Sequence, residues 1–142
     1  MNTDEVVREF FAGRPPLDRL LFAALKHRLF LAFLLVGKLS LPPQEVLGLR
    51  WPMVNLVEGG LVLPSMRIQL EESLVELFAL HAARQRQDRR EAPAWVSPGR
   101  VMVDHFGCPY LTLDADNVLA GYCRDLNFPE VTLATIGQLD LL

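Results

Sequence analysis

The sequence predicts a mainly α fold with a small β-hairpin, an α+β class. Three observations predict it. Apolar residues recur at helical spacing through residues 17–29 and again through residues 74–81. Two short apolar runs, residues 61–63 and 66–70, flank the turn dipeptide Pro64-Ser65. The 142 residues are 51% hydrophobic and 22% charged, the composition of one folded domain and not of a disordered tail. A chain of this size buries roughly 68–70% of its unfolded surface, enough for a core without staples.

The elements follow in order. Thr3 caps a short helix, with Asp4 and Glu5 in its first turn and Val6, Val7, Phe10 and Phe11 on its apolar face. Residues 13–16 end it. A long helix starts at Leu17, with Leu20, Leu21, Ala24, Leu25 and Leu29 on one side. Lys26, His27 and Arg28 mark its solvent face. Beyond Arg28 it is apolar all round, hence central, and Gly37 ends it. The clean apolar run, residues 29–36, is far short of the roughly 20 residues a membrane span requires.

Ser40 and Pro42-Pro43 start a short helix, since proline suits a first turn, and Gly48 closes it. Trp51-Pro52 opens an irregular stretch before the hairpin. Glu71 and Glu72 open another long helix, with Leu74, Leu77, Phe78 and His81 on one face, ending near Gln87. Residues 88–100 read as a loop with a short strand at Ala94-Trp95-Val96, Trp95 plugging the core beneath it. Gly107-Cys108-Pro109 is a turn. Asp114 caps a helix whose apolar face is Val118, Leu119, Tyr122, Cys123 and Leu126, and Asn127 ends it in the left-handed conformation. Thr132 caps a last helix running to the end. Its Leu139, Leu141 and Leu142 either cover the core or join two copies into a dimer.

The net charge of −3 excludes a basic nucleic-acid coat. Cations concentrate locally at Arg84, Arg86, Arg89 and Arg90, a set able to touch phosphates but better read as cations complementing a helix C-terminus in an acidic chain. Cys108 and Cys123 read as reduced thiols of a cytoplasmic protein, and the acidic start MNTDEVVREF lacks the pattern of a secretory leader. His105 and Cys108, with Asp104 and Cys123 as companions, fall short of a zinc set, so no metal and no cofactor are expected. His81 reads as a hydrogen-bonded core residue.

The segment EVLGLRWPMVNLVEGGLVL, residues 45–63, resembles the start of the catalytic domain of tyrosine recombinases, the phage-integrase family. Glu45, Leu49, Trp51, Asn55 and Leu56 carry the match. TDEVVREFFA, residues 3–12, is similar to the helix that opens that domain. GCPYLTLDADNVLAGYCRDLNFPEVTL, residues 107–133, is similar to its later Gly-x-Pro turn, the helix behind it and the lead into the second catalytic box.

The resemblance implies one integrase-like domain over residues 1–142, without the family's DNA-clamping domain and its C-terminal tyrosine segment. It also implies lost chemistry. Pro42 stands where the family has its first catalytic arginine. Arg67 stands near the place of the hairpin lysine, and arginine cannot give up a proton. Ala134 and Gly137 occupy the two positions of the His-x-x-Arg box, and Tyr110 and Tyr122 both precede it. Each missing charge-stabilising donor typically lowers the rate about a hundred- to a thousandfold.

The expectation is therefore a catalytically inactive recombinase-like protein, a pseudoenzyme that binds DNA weakly or a recombinase-like partner. Lys38, Arg50, Arg67, Arg84, Arg86, Arg89 and Arg90 are its candidate nucleic-acid contacts. The alternative is a protein-interaction or structural module that keeps the fold with no nucleic-acid role. The two divide on whether those cations share one face.

Overall fold

The computed structural model describes residues 15–96 and 99–141. The expected helix at residues 3–12, the side chain of Leu141, and Leu142 lie outside them. Helix α1 spans Pro15–Ala23. Proline is tolerated in its first turn, and Leu17, Leu20, Leu21 and Ala24 are fully buried along one side. Helix α2 spans Phe30–Leu39 and is buried continuously from Phe30 to Gly37.

The single helix expected across this region is thus two. The corner between them uses short-range bonds: His27 N–H reaches the Ala24 carbonyl at 2.9 Å, and Phe30 N–H reaches that of His27 at 3.0 Å. The Leu29 N–H donates to His27 Nδ1 at 3.0 Å, so a side chain replaces the helical acceptor. Arg28 donates twice to the Asp88 carboxylate, at 2.7 and 2.8 Å. Arg84 donates to the Lys26 carbonyl at 2.7 Å. Lys26, His27 and Arg28 therefore form a corner tied to a distant helix, and not a solvated helix face.

Gly37 does not end its helix. A Cβ there would meet Leu17 Cδ1 at 3.2 Å and Ile136 Cγ1 at 3.7 Å, so glycine permits a close helix crossing. The stop comes at Ser40, which adopts the left-handed conformation (φ 55°). Between the two helices, Lys38 forms an ion pair with Asp18, with side chains only 8% and 12% exposed.

Helix α3, Pro43–Leu47, follows, and a 3-10 turn spans Trp51–Met53. Three strands come next: β1 Val54–Asn55, β2 Gly60–Val62 and β3 Arg67–Gln69. They form an antiparallel sheet in the order β1-β2-β3, with Val54 opposite Leu61 and Leu61 opposite Ile68. The third strand, β1, was not expected. Asn55 makes it possible by accepting the N–H groups of Val57 and Glu58 at 3.1 and 3.0 Å, which turns the chain back. Glu45 on α3 accepts the Ser65 N–H and hydroxyl, both at 2.7 Å, and seats the β2–β3 turn.

Helix α4 spans Glu72–Glu91, past the expected end at Gln87. Asp88 keeps it helical, because its carboxylate meets Arg28 from inside the helix. No strand forms at Ala94–Val96 among the described residues; one bond, Val96 N–H to the Phe106 carbonyl, ties that stretch down. Leu49 to Trp51 instead pairs with residues 99–101 through a bridge of Arg50 with Arg100.

The turn at Gly107 has φ +82°, and a Cβ there would lie 2.7 Å from two ring atoms of Trp95. Gly107→Ala is expected to lower stability by about 2–3 kcal/mol, since it combines left-handed strain with an indole clash. Urea unfolding followed by tryptophan emission measures it.

Helix α5 spans Thr112–Leu126. It starts before Asp114, which acts from within the first turn by accepting the Leu111 N–H at 2.8 Å. Ala115, Leu119 and Cys123 are buried, with Val118, Tyr122 and Leu126 beside them, and Asn127 ends the helix at φ 57°. The closing element is not an α-helix but a 3-10 helix, Ile136–Leu141. Its Asp140 accepts the Leu17 N–H at 3.0 Å, capping α1, while Ile136 and Leu139 enter the core.

The class is α+β: helices around one hydrophobic core, with a small three-stranded sheet at the side. Among the described residues, no helix is long and apolar enough to cross a membrane.

Candidate functional site

Helix α4 has two faces with different chemistry. Leu74, Leu77 and Phe78 turn into the core. Ala82, Gln85, Arg86 and Arg89 follow the i, i+3, i+4, i+7 pattern on another side. They form one wall of a groove of about 480 Å³, which Trp51, Val54, Leu56, Trp95 and Gly99 complete. The groove is positioned by hydrogen bonds. Trp51 Nε1 donates to Gln85 at 2.6 Å, and Gln85 donates to the Arg100 carbonyl at 2.8 Å. His81 Nε2 donates to the Val101 carbonyl at 2.7 Å, so two successive turns of α4 hold the same strand-like segment.

The seven candidate cations do not share one face. Lys38 is turned inward against Asp18. Arg67 is exposed on β3, opposite Val62. Arg84 is spent on the Lys26 carbonyl, and Arg90 on Gln87. Arg86 and Arg89 are exposed in the groove. Arg50 lies next to Trp51 in the chain, opposite Arg100. The expectation treated Trp95 as a core plug. Trp95 does pack on Gly107, yet it also lines the groove with Trp51, facing Arg86 and Arg89 across it. Arg100 and Gln85 were missed as well. No local sequence signal joins Trp51, Trp95 and α4, because their proximity is a product of the fold.

Behind the groove lies a polar cluster. Arg28 bonded to Asp88 holds that carboxyl below the usual carboxylate range. Burial, and then Arg84 and Arg28, push His27 down. Burial is also the main force lowering His81, with Arg84 and Arg28 adding to it. Both imidazoles are therefore neutral at pH 7. His81 is a hydrogen-bonded residue packed against the core, as its place on the helix suggested.

The His105 ring lies tilted against that of Phe106, Cys123 is buried and Cys108 half-buried, and both thiols are free. Among the described residues, no three His, Cys, Asp or Glu side chains gather as a metal site would need.

A separate depression of about 320 Å³ lies at the junction of α2, α3 and the C-terminal segment. Pro42, Ala134 and Gly137 all line it, with Val36, Ser40 and Leu41. Among the described residues, no charged side chain is part of its wall. Pro42 comes from the N-cap of α3, and the other two from the approach to the last 3-10 helix and from that helix itself.

Compared with the models of known protein families and with curated proteins, the chain matches none.

Proposed function

We propose that this chain is a tyrosine recombinase-like domain that has lost strand cleavage and binds DNA, or a recombination partner, without cutting. One observation supports the reading above others. Pro42 is far in sequence from Ala134 and Gly137, yet these positions, which the family resemblance assigns to its catalytic arginines and histidine, line one depression. Among the described residues, that depression carries no cation to stabilise a transferring phosphoryl group. Glu45, another matched position, braces the sheet turn against α3.

Neither described tyrosine is prepared as a nucleophile. Burial raises the phenols of Tyr110 and Tyr122 above their usual value of 10.0. The expected result is no covalent protein–DNA adduct on a nicked suicide substrate run on a denaturing gel. A shifted band that disappears in Tyr122→Phe or Tyr110→Phe overturns the reading. Duplex binding is expected to be weak and steeply salt-dependent, with a log–log slope of about −0.9 per phosphate contacted.

A second reading, an interaction module without nucleic acid, is favoured by the scatter of the seven candidate cations over different faces and by Leu111 and Leu113. They are 67% and 68% exposed at the start of α5. Absence of duplex binding even at low salt selects it.

A further inference from the structure

The groove on α4 combines three properties that the loss of cleavage does not call for. First, it holds both tryptophans of the chain, Trp51 and Trp95, each half-exposed. Second, Arg86 and Arg89 line it, and among the described residues neither forms an ion pair or hydrogen bond. Third, among the described residues no acidic side chain is part of its wall.

The neighbouring bridge brings two further arginines together, outside the groove's wall. Trp51 N–H bonds to the Gly99 carbonyl, and Val101 N–H to that of Leu49, so Arg50 and Arg100 are a non-hydrogen-bonded pair between these bonds. In such a pair both side chains emerge on one face, close together. Leu49 and Val101 are fully buried, so that face points outward. Like charges placed directly opposite destabilise a strand pair.

We propose that this groove binds an unpaired nucleotide of a single-stranded nucleic acid, with the base against the indoles of Trp51 and Trp95 and the phosphates on Arg86 and Arg89. An indole face accepts any base, because every base has a π-face, whereas a base inside a duplex has both faces covered by its neighbours. Arg86 and Arg89 stand one turn apart on α4, with Cβ atoms about 5–6 Å from each other, and so serve two successive phosphates. A free phosphate would engage the arginines and leave the indoles unused. The inference rests on the groove and is independent of the recombinase reading, which rests on the depression at Pro42.

Because both tryptophans line the groove, the indole emission of the chain reports on it. The experiment titrates the intact chain with a short oligothymidylate and follows that emission. Blunt duplex DNA, inorganic phosphate and polyglutamate serve as comparisons. Saturable quenching by the oligothymidylate alone is expected, weakening as salt rises. Trp95→Leu is expected to reduce affinity about tenfold or more, from lost stacking.

Arg86→Gln combined with Arg89→Gln is the cleaner variant, since both side chains are exposed and, among the described residues, unbonded. It is expected to unfold at the same temperature as the parent and to lose the quenching. Absence of quenching in the parent overturns the proposal. So does quenching that survives the double arginine change, or quenching matched by duplex or by polyglutamate. Duplex retardation that persists in this variant, with single-strand quenching lost, leaves the recombinase reading in place and separates the two.

Discussion

Lys38→Met is expected to destabilise the protein by about 3–5 kcal/mol, because it strands the Asp18 charge in the core. The two side chains are only 12% and 8% exposed, on α1 and α2, and Lys38 is the sole described partner of the Asp18 carboxylate. A buried ion pair is weak evidence of net stabilisation, but removing one half of it is severe. Replacing both, Lys38→Met with Asp18→Leu, is expected to recover most of the loss, since two apolar side chains suit the same space. Urea unfolding of the parent and the two variants measures this. Equal losses in the single and double variants would show that Lys38 packs through its stem alone. The result also bears on DNA: an internal Lys38 is not a phosphate contact, and the salt slope of duplex binding is expected to be the same in the double variant.

Asp88→Ala is expected to cost about 2–3 kcal/mol, less than a fully buried pair because Arg28 is 27% exposed. It leaves Arg28 without its carboxylate at the corner between α1 and α2, and next to Arg84. The pH profile separates this pair from the histidines. His27 and His81 are held below their usual 6.5, so from that pH downward the unfolded chain takes up protons that the folded chain refuses. Stability is expected to be greatest above 6.5 and to decline as the pH falls below it. Asp88, held below its usual 3.8, contributes stability that is present above that value and is lost as the pH falls through its lowered folded value. In Asp88→Ala this acid limb flattens while the histidine limb remains. A parent profile flat between pH 7 and 5 would show that neither imidazole resists protonation.

These two pairs also show where reading the chain stopped. Periodicity reports which side of an element meets apolar matter. The buried sides of α1 and α2, the Leu74–Leu77–Phe78 face of α4, the α5 stripe ending at Asn127 and the two strands around Pro64-Ser65 were therefore legible from local spacing. The turn chemistry of Asn127 was legible too, because few residues tolerate a positive φ.

The break at residues 24–29 was not legible. Arg28 and Asp88 are 60 positions apart, and a cation on an otherwise apolar helix looks like a solvent face until its partner is placed. Gly37 looked like a helix stop because its reason for being glycine is Leu17 on another helix. The length of α4 turned on the same Arg28–Asp88 contact.

The candidate sites divide in the same way. The sequence alone determined that Pro42, Ala134 and Gly137 carry no charge, since residue identity is sufficient for that. Only the tertiary structure decided that the three line one depression, that Lys38 is turned inward, and that Trp51 and Trp95 flank Arg86 and Arg89. The physical reason is range. Helix and strand patterns are set by neighbours a few residues away, whereas grooves and ion pairs are set by which distant segments the core draws together.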